Sequence, residues 1–89
     1  MLNSNVSFAG AIQIKDKEGS LTVDPKNVII DVHKGKQGSD VSLINSHTNE
    51  SLKDYYNIYK SVDDVGKDIS KAYEKAAHND IPTVLDLYA

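Results

Sequence analysis

The sequence predicts an α+β protein. An antiparallel meander of three or four strands over residues 6–45 packs against one long amphipathic helix over residues 48–78. Three observations predict it. Apolar residues alternate with period two in the first half, and recur every three or four residues in the second. The charge changes at the same boundary: residues 1–49 carry five Lys and five acids, residues 50–89 five Lys and eight acids. At 89 residues the chain is the size of a single domain.

The first strand is read from Val6, Phe8, Gly10, Ile12 and Ile14, which alternate with Ser7, Ala9, Ala11, Gln13 and Lys15. Asp16-Lys17-Glu18-Gly19 reads as a hairpin loop, and Leu21 and Val23 as a short return strand. Asp24-Pro25-Lys26-Asn27 fits a type I turn, because proline presets φ at its second position. A third strand follows, with Val28, Ile30 and Val32 on one face. Lys34 to Asp40 is a glycine-containing loop, and Val41-Ser42-Leu43-Ile44-Asn45 a fourth strand. Short connections favour antiparallel pairing.

The helix is read from Tyr55, Ile58, Val62, Val65, Ile69, Ala72 and Ala76, spaced alternately by three and four. Ser46 or Thr48 is placed at its N-terminus. Asn79 and Pro82 end it. Ser61-Val62-Asp63-Asp64 also resembles a helix start, and Gly66 weakens a helix interior, but the stripe keeps its phase across them. Residues 83–88 read equally as strand or helical turn. The predicted core joins Val6, Phe8, Ile12, Ile14, Leu21, Val23, Val28, Ile30 and Val32 to Tyr55, Ile58, Val62, Val65, Ile69 and Tyr73, with Tyr59 widening the helical stripe.

Composition narrows the function. The formal charge is −3, mean hydropathy is −0.43, and there is no Cys. This argues against a disulfide framework, a thiol nucleophile and a cysteine-ligated metal. All ten basic residues are Lys. Without Arg, the bidentate fork that reads phosphate or guanine is missing, so nucleic acid is disfavoured as a partner. No membrane-spanning stretch or secretory signal is read, and the expected location is the cytoplasm. Abundant Lys, Asn, Ile and Tyr point to A/T-rich coding, as in a low-GC bacterium or one of its phages.

No motif commits the chain to catalysis, and neither a metal nor a cofactor is expected. Asp31 and His33 point the same way on one strand, but no third ligand or catalytic group is placed beside them. Gly35-Lys36-Gln37-Gly38-Ser39 does not match a P-loop. The acids Asp63, Asp64, Asp68 and Glu74 alternate with Lys60, Lys67 and Lys71, as on a solvated helix face.

The tyrosine-rich segment Asp54-Tyr55-Tyr56-Asn57-Ile58-Tyr59 carries the functional expectation. On a helix, Tyr55 and Tyr59 point to the core and Tyr56 points away, near Leu52. Tyrosine is enriched at binding hot spots. The expected site is therefore a protein-docking patch of Leu52 and Tyr56 rimmed by Lys60 and Asp63. The expected role is non-enzymatic: an inhibitor, immunity protein or adaptor of phage or mobile-element type.

Two alternatives stand beside it. One is a small hydrolase or ligand-binding protein using Asp31 and His33. The other is a helix-mediated homodimer or secretion partner with the seam from Tyr55 to Ala76 facing another chain. Residues 63–78, with their K-D-I-S-K-A-Y-E-K run, resemble the second helix of the helical-hairpin proteins of Gram-positive type VII secretion. Tyr59-x-x-x-Asp63 has the spacing of that family's Y-x-x-x-D signal, although it stands mid-helix here. The resemblance covers under a quarter of the chain and implies a helical partner.

Overall fold

A computed structural model of the chain describes residues 8–89. Six strands and one helix follow in order: β1 (Ile12–Lys15), β2 (Ser20–Val23), β3 (Val28–Lys34), β4 (Ser39–Asn45), β5 (Ser51–Ile58), α1 (Val62–His78) and β6 (Thr83–Asp86). The α+β class stands as expected, and a C-terminal helix is present, though only over Val62–His78. The strands form two three-stranded sheets, ordered β2–β1–β6 and β3–β4–β5. All pairings are antiparallel except β1 with β6, which is parallel.

The turns form where local chemistry directs them. The Asn27 N–H donates to the Asp24 carbonyl at 2.9 Å, closing the proline turn, while the Asp24 carboxylate accepts from the Lys26 N–H. In the first hairpin Gly19 takes φ +144°, and the Asp16 side chain accepts from the Glu18 N–H.

The first strand is shorter than the alternation suggests; Val6 lies outside the described residues. Residues 8–11 leave the sheet and run over the C-terminal end of the helix. There the Gly10 N–H donates to the Ala76 carbonyl at 3.0 Å. A Cβ on Gly10 would lie 2.3 Å from the Asn79 carbonyl oxygen, so only glycine permits this approach. Phe8 packs edge-to-face on Tyr73, with ring centroids 5.8 Å apart.

The larger correction concerns residues 48–61, which are not helical. Residues 46–50 form the β4–β5 turn, and 51–58 form β5. The Asn45 side chain accepts from the N–H groups of His47 and Thr48, and Asn49 adopts φ +61°. Ser, Thr and Asn serve turns and helix caps by the same short-range hydrogen bonds, so the segment was ambiguous.

The three-residue step from Tyr55 to Ile58 also has a non-helical cause. Asn57 sits at φ +60° where the β4–β5 register slips between Ser39 and Val41. This bulge inserts one residue, so Tyr55 and Ile58 are both buried although three apart. The helix begins instead at the second start signal. The Ser61 side chain accepts from the Asp64 N–H at 3.1 Å, and Asp63 and Asp64 occupy the first turn.

The core lies between the inner faces of the two sheets. Ile12 and Ile14 come from β1, Val28 and Ile30 from β3, Val41 and Leu43 from β4, and Tyr55 and Ile58 from β5. The helix closes one side with Val65, Ile69, Ala72 and Ala76, touching β6 and β3 and, more lightly, β1. Its apolar stripe is thus filled by its own chain. The ambiguous tail resolves as strand β6, which buries Leu85; Leu87 follows it into the core. No helix among the described residues is long and apolar enough to cross a membrane.

Candidate protein-interaction face

One face of the β3–β4–β5 sheet covers the core and the other faces outward. Cross-strand register arranges the outward residues in three rows. Ile29 and Ile44 stand opposite one another, next to Ser51 and Leu52. Asp31, Ser42 and Asp54 form the middle row. His33 and Asp40 begin the third, and Tyr56 closes it on β5, one residue past inward-facing Tyr55.

This face exposes large apolar side chains. Ile29 is 45% exposed, Leu52 53% and Tyr56 61%. Single exposed apolar residues are ordinary, but several on one sheet face that the other described residues leave open suit an interface better. Leu52 lies in the register slip between Leu43 and Ile44, and Asn57 in the other. The Asp40 carboxylate accepts from the Asn57 N–H at 2.9 Å, which ties the second bulge to β4. Two bulges make the β5 edge irregular and discourage strand addition there.

The expected site residues separate. Leu52 and Tyr56 share the outer side of β5, so Tyr56 is exposed as expected, by strand alternation rather than helical phase. Tyr59 corrects the expectation of a core residue. It follows the strand, is 72% exposed, and donates its hydroxyl to Gln37 Oε1 at 2.7 Å. Lys60 turns to the helix and pairs with Asp68 at 3.4 Å. Asp63, in the first turn of α1, lines a shallow groove with Val32 and Gly66. Neither is engaged with Tyr56.

Asp31 and His33 do gain a neighbour that strand-by-strand reading missed. Ser42 Oγ lies 3.3 Å from His33 Nε2, because β4 places Ser42 opposite Asp31. Register across the four-residue turn 35–38 is the signal that finds it; Ser39 and Asp40, read from sequence as loop, already belong to β4. The trio stands on an open sheet surface, with Asp31 and His33 exposed. Ser42 is on the central strand, paired with Asp31 on β3 and Asp54 on β5. Among the described residues no group of three His, Asp or Glu side chains is placed to hold a metal ion.

On the inner side, Lys53 pairs with Asp16 at 3.7 Å and covers the Tyr55 ring at 5.3 Å, linking β5 to the first hairpin. The Tyr55 hydroxyl is buried without a hydrogen-bond partner. Burial pushes its pKa above the ordinary value, and the nearby Asp16 carboxylate adds to the shift.

Comparison with protein-family models, curated proteins and solved structures finds no match for this chain. The functional reading therefore rests on the geometry of the face alone.

Proposed function

We propose that this chain is a small, non-enzymatic protein-binding module that docks its partner on the outer face of β3–β4–β5. The observation supporting this reading is the joint exposure of Leu52 and Tyr56 on one side of β5, with Ile29 exposed on the same sheet face. Tyrosine anchors an interface well because it carries a large rigid apolar ring and a polar tip. An inhibitor, an immunity protein or an adaptor would use such a face, inside a bacterial cell or on behalf of a phage.

The test is affinity. Once a partner is captured with the wild-type chain, Tyr56→Ala should weaken binding by about 2 kcal/mol or more while leaving the melting temperature nearly unchanged. Leu52→Ala should weaken it less. Normal binding by a Leu52→Ala/Tyr56→Ala double variant would move the interface elsewhere.

The hydrolase reading keeps one supporting observation, the contact between His33 and Ser42. Turnover of activated esters that disappears in Ser42→Ala would favour it over the binding module.

A further inference from the structure

We infer that the outer face of β3–β4–β5 is built for a basic protein segment, one that places a lysine or arginine between Asp31 and Asp54. The inference rests on the binding-face reading and gives that face a partner chemistry.

The argument begins with where the charges lie. All ten basic side chains are lysines, and none occupies an outward position on these three strands. Lys34 and Lys53 alternate onto the opposite side, across from Ser39 and Leu43. Four other lysines, at 60, 67, 71 and 75, precede or lie on the helix. The outer face keeps its acids. Asp31 and Asp54 flank Ser42 on the two neighbouring strands, and among the described residues neither forms an ion pair.

Strand spacing sets the size of this seat. Neighbouring strands are about 4.8 Å apart, so the two carboxylate-bearing columns are separated by roughly 10 Å across Ser42. A cationic head entering between them meets a carboxylate on either side; the Ser42 hydroxyl beneath is already in contact with His33 Nε2 at 3.3 Å, and the Ser51 hydroxyl donates to Asp54 Oδ2 at 3.3 Å. Tyr56, exposed two residues along β5 from Asp54, is an aromatic ring on the same side of the strand that a bound cation could use. Ile29 and Leu52 offer apolar contact to residues on the other side of the cation. The site reads as one cation seat beside an apolar step.

The same charges argue against a second copy of this chain as occupant. Beside its acids this face carries only the imidazole of His33, so an isologous contact would set mostly acids against acids, which is unfavourable in a desolvated interface. Area argues for a short segment. Three strands of seven or eight residues present about 300 Å², well below the ~800 Å² per partner of a standard stable interface.

Two synthetic decapeptides test this with the intact chain. One alternates lysine and leucine, the other glutamate and leucine, and each is titrated into isotopically labelled protein by NMR. The lysine peptide should shift the amide signals of Asp31, Ser42, Asp54 and Tyr56. Its affinity should drop several-fold between about 50 and 300 mM salt. An Asp31→Asn/Asp54→Asn variant with an unchanged fold should bind it at least tenfold more weakly.

Equal binding of both peptides would overturn the inference. So would shifts confined to α1, an unaffected double variant, or no binding of the lysine peptide at millimolar concentration. If the glutamate peptide binds this face and loses affinity in Tyr56→Ala, the charge assignment falls while the docking face stands.

Discussion

The Tyr73 hydroxyl on α1 donates to the Val28 carbonyl oxygen on β3 at 2.8 Å, across 45 positions of sequence. β3 ends its sheet, so this carbonyl has no strand neighbour on that side. The tyrosine stands where a neighbouring strand would, and the Ile30 N–H also faces its phenolic oxygen. One side chain thereby fastens the helix and satisfies part of a sheet edge.

Tyr73→Phe keeps the ring against Phe8 and removes only the hydroxyl. The unfolding free energy should fall by roughly 0.5–1.5 kcal/mol, the usual worth of one such hydrogen bond. Urea denaturation of both proteins measures it. No change would mean that water satisfies the Val28 carbonyl equally well.

Ile69 is buried where α1 meets the sheets. Ile69→Ala should cost about 2–5 kcal/mol, because the lost transfer energy is joined by a cavity that the sheets do not fill. A loss below about half a kcal/mol in the same denaturation assay would contradict the packing of the helix on the core.

Asn57 tests the bulge that hid β5. Its φ of +60° suits asparagine or glycine and penalises a β-branched residue. Asn57→Gly should change the melting temperature little. Asn57→Val should destabilise by about 1–3 kcal/mol. Equal melting temperatures would show that the left-handed conformation is absent in solution.

Alkaline pH should destabilise the protein through its tyrosines. Burial raises the pKa of Tyr55, Tyr73 and Tyr88 above the ordinary 10.0; the Asp16 carboxylate adds to it at Tyr55 and Tyr88, while the Ile30 N–H partly offsets it at Tyr73. The folded state holds these protons more tightly than the unfolded chain. This contribution is complete below pH 10 and is lost as pH rises through the raised values. Melting temperature should therefore fall above about pH 10. Tyr55→Phe should reduce that fall and, at neutral pH, be neutral or slightly stabilising, because it removes a buried hydroxyl without a partner. An identical alkaline profile in the variant would exclude Tyr55 as a contributor.

The site was partly legible before folding was considered. Tyr56 read as exposed because it follows inward-facing Tyr55, and that holds whether the segment is helix or strand; Leu52 was placed beside it by helical phase and reaches the same side by strand alternation instead. The rim residues did not follow. Lys60 and Asp63 lie near Tyr56 on a continuous helix, but the turn after β5 carries them to α1, where Lys60 finds Asp68. Ile29 and Ser42 joined the face only through cross-strand register, which brings together residues distant in sequence.

What the sequence by itself determined was local. Alternation set the inner faces of β3 and β4; the Asp24–Pro25 turn and the end of the helix at His78 follow from backbone chemistry within a few residues. The choice between helix and strand at 51–58 was made by tertiary structure. Its residues tolerate either form, and the exposed edge of β4 supplied a ladder of hydrogen bonds that an isolated helix start at Ser46 or Thr48 had nothing to match. The division into two sheets is likewise tertiary. Gly10 lets the chain turn under the helix end, and β6 returns to pair with β1, so that two small sheets and a helix enclose one core that neither sheet fills alone.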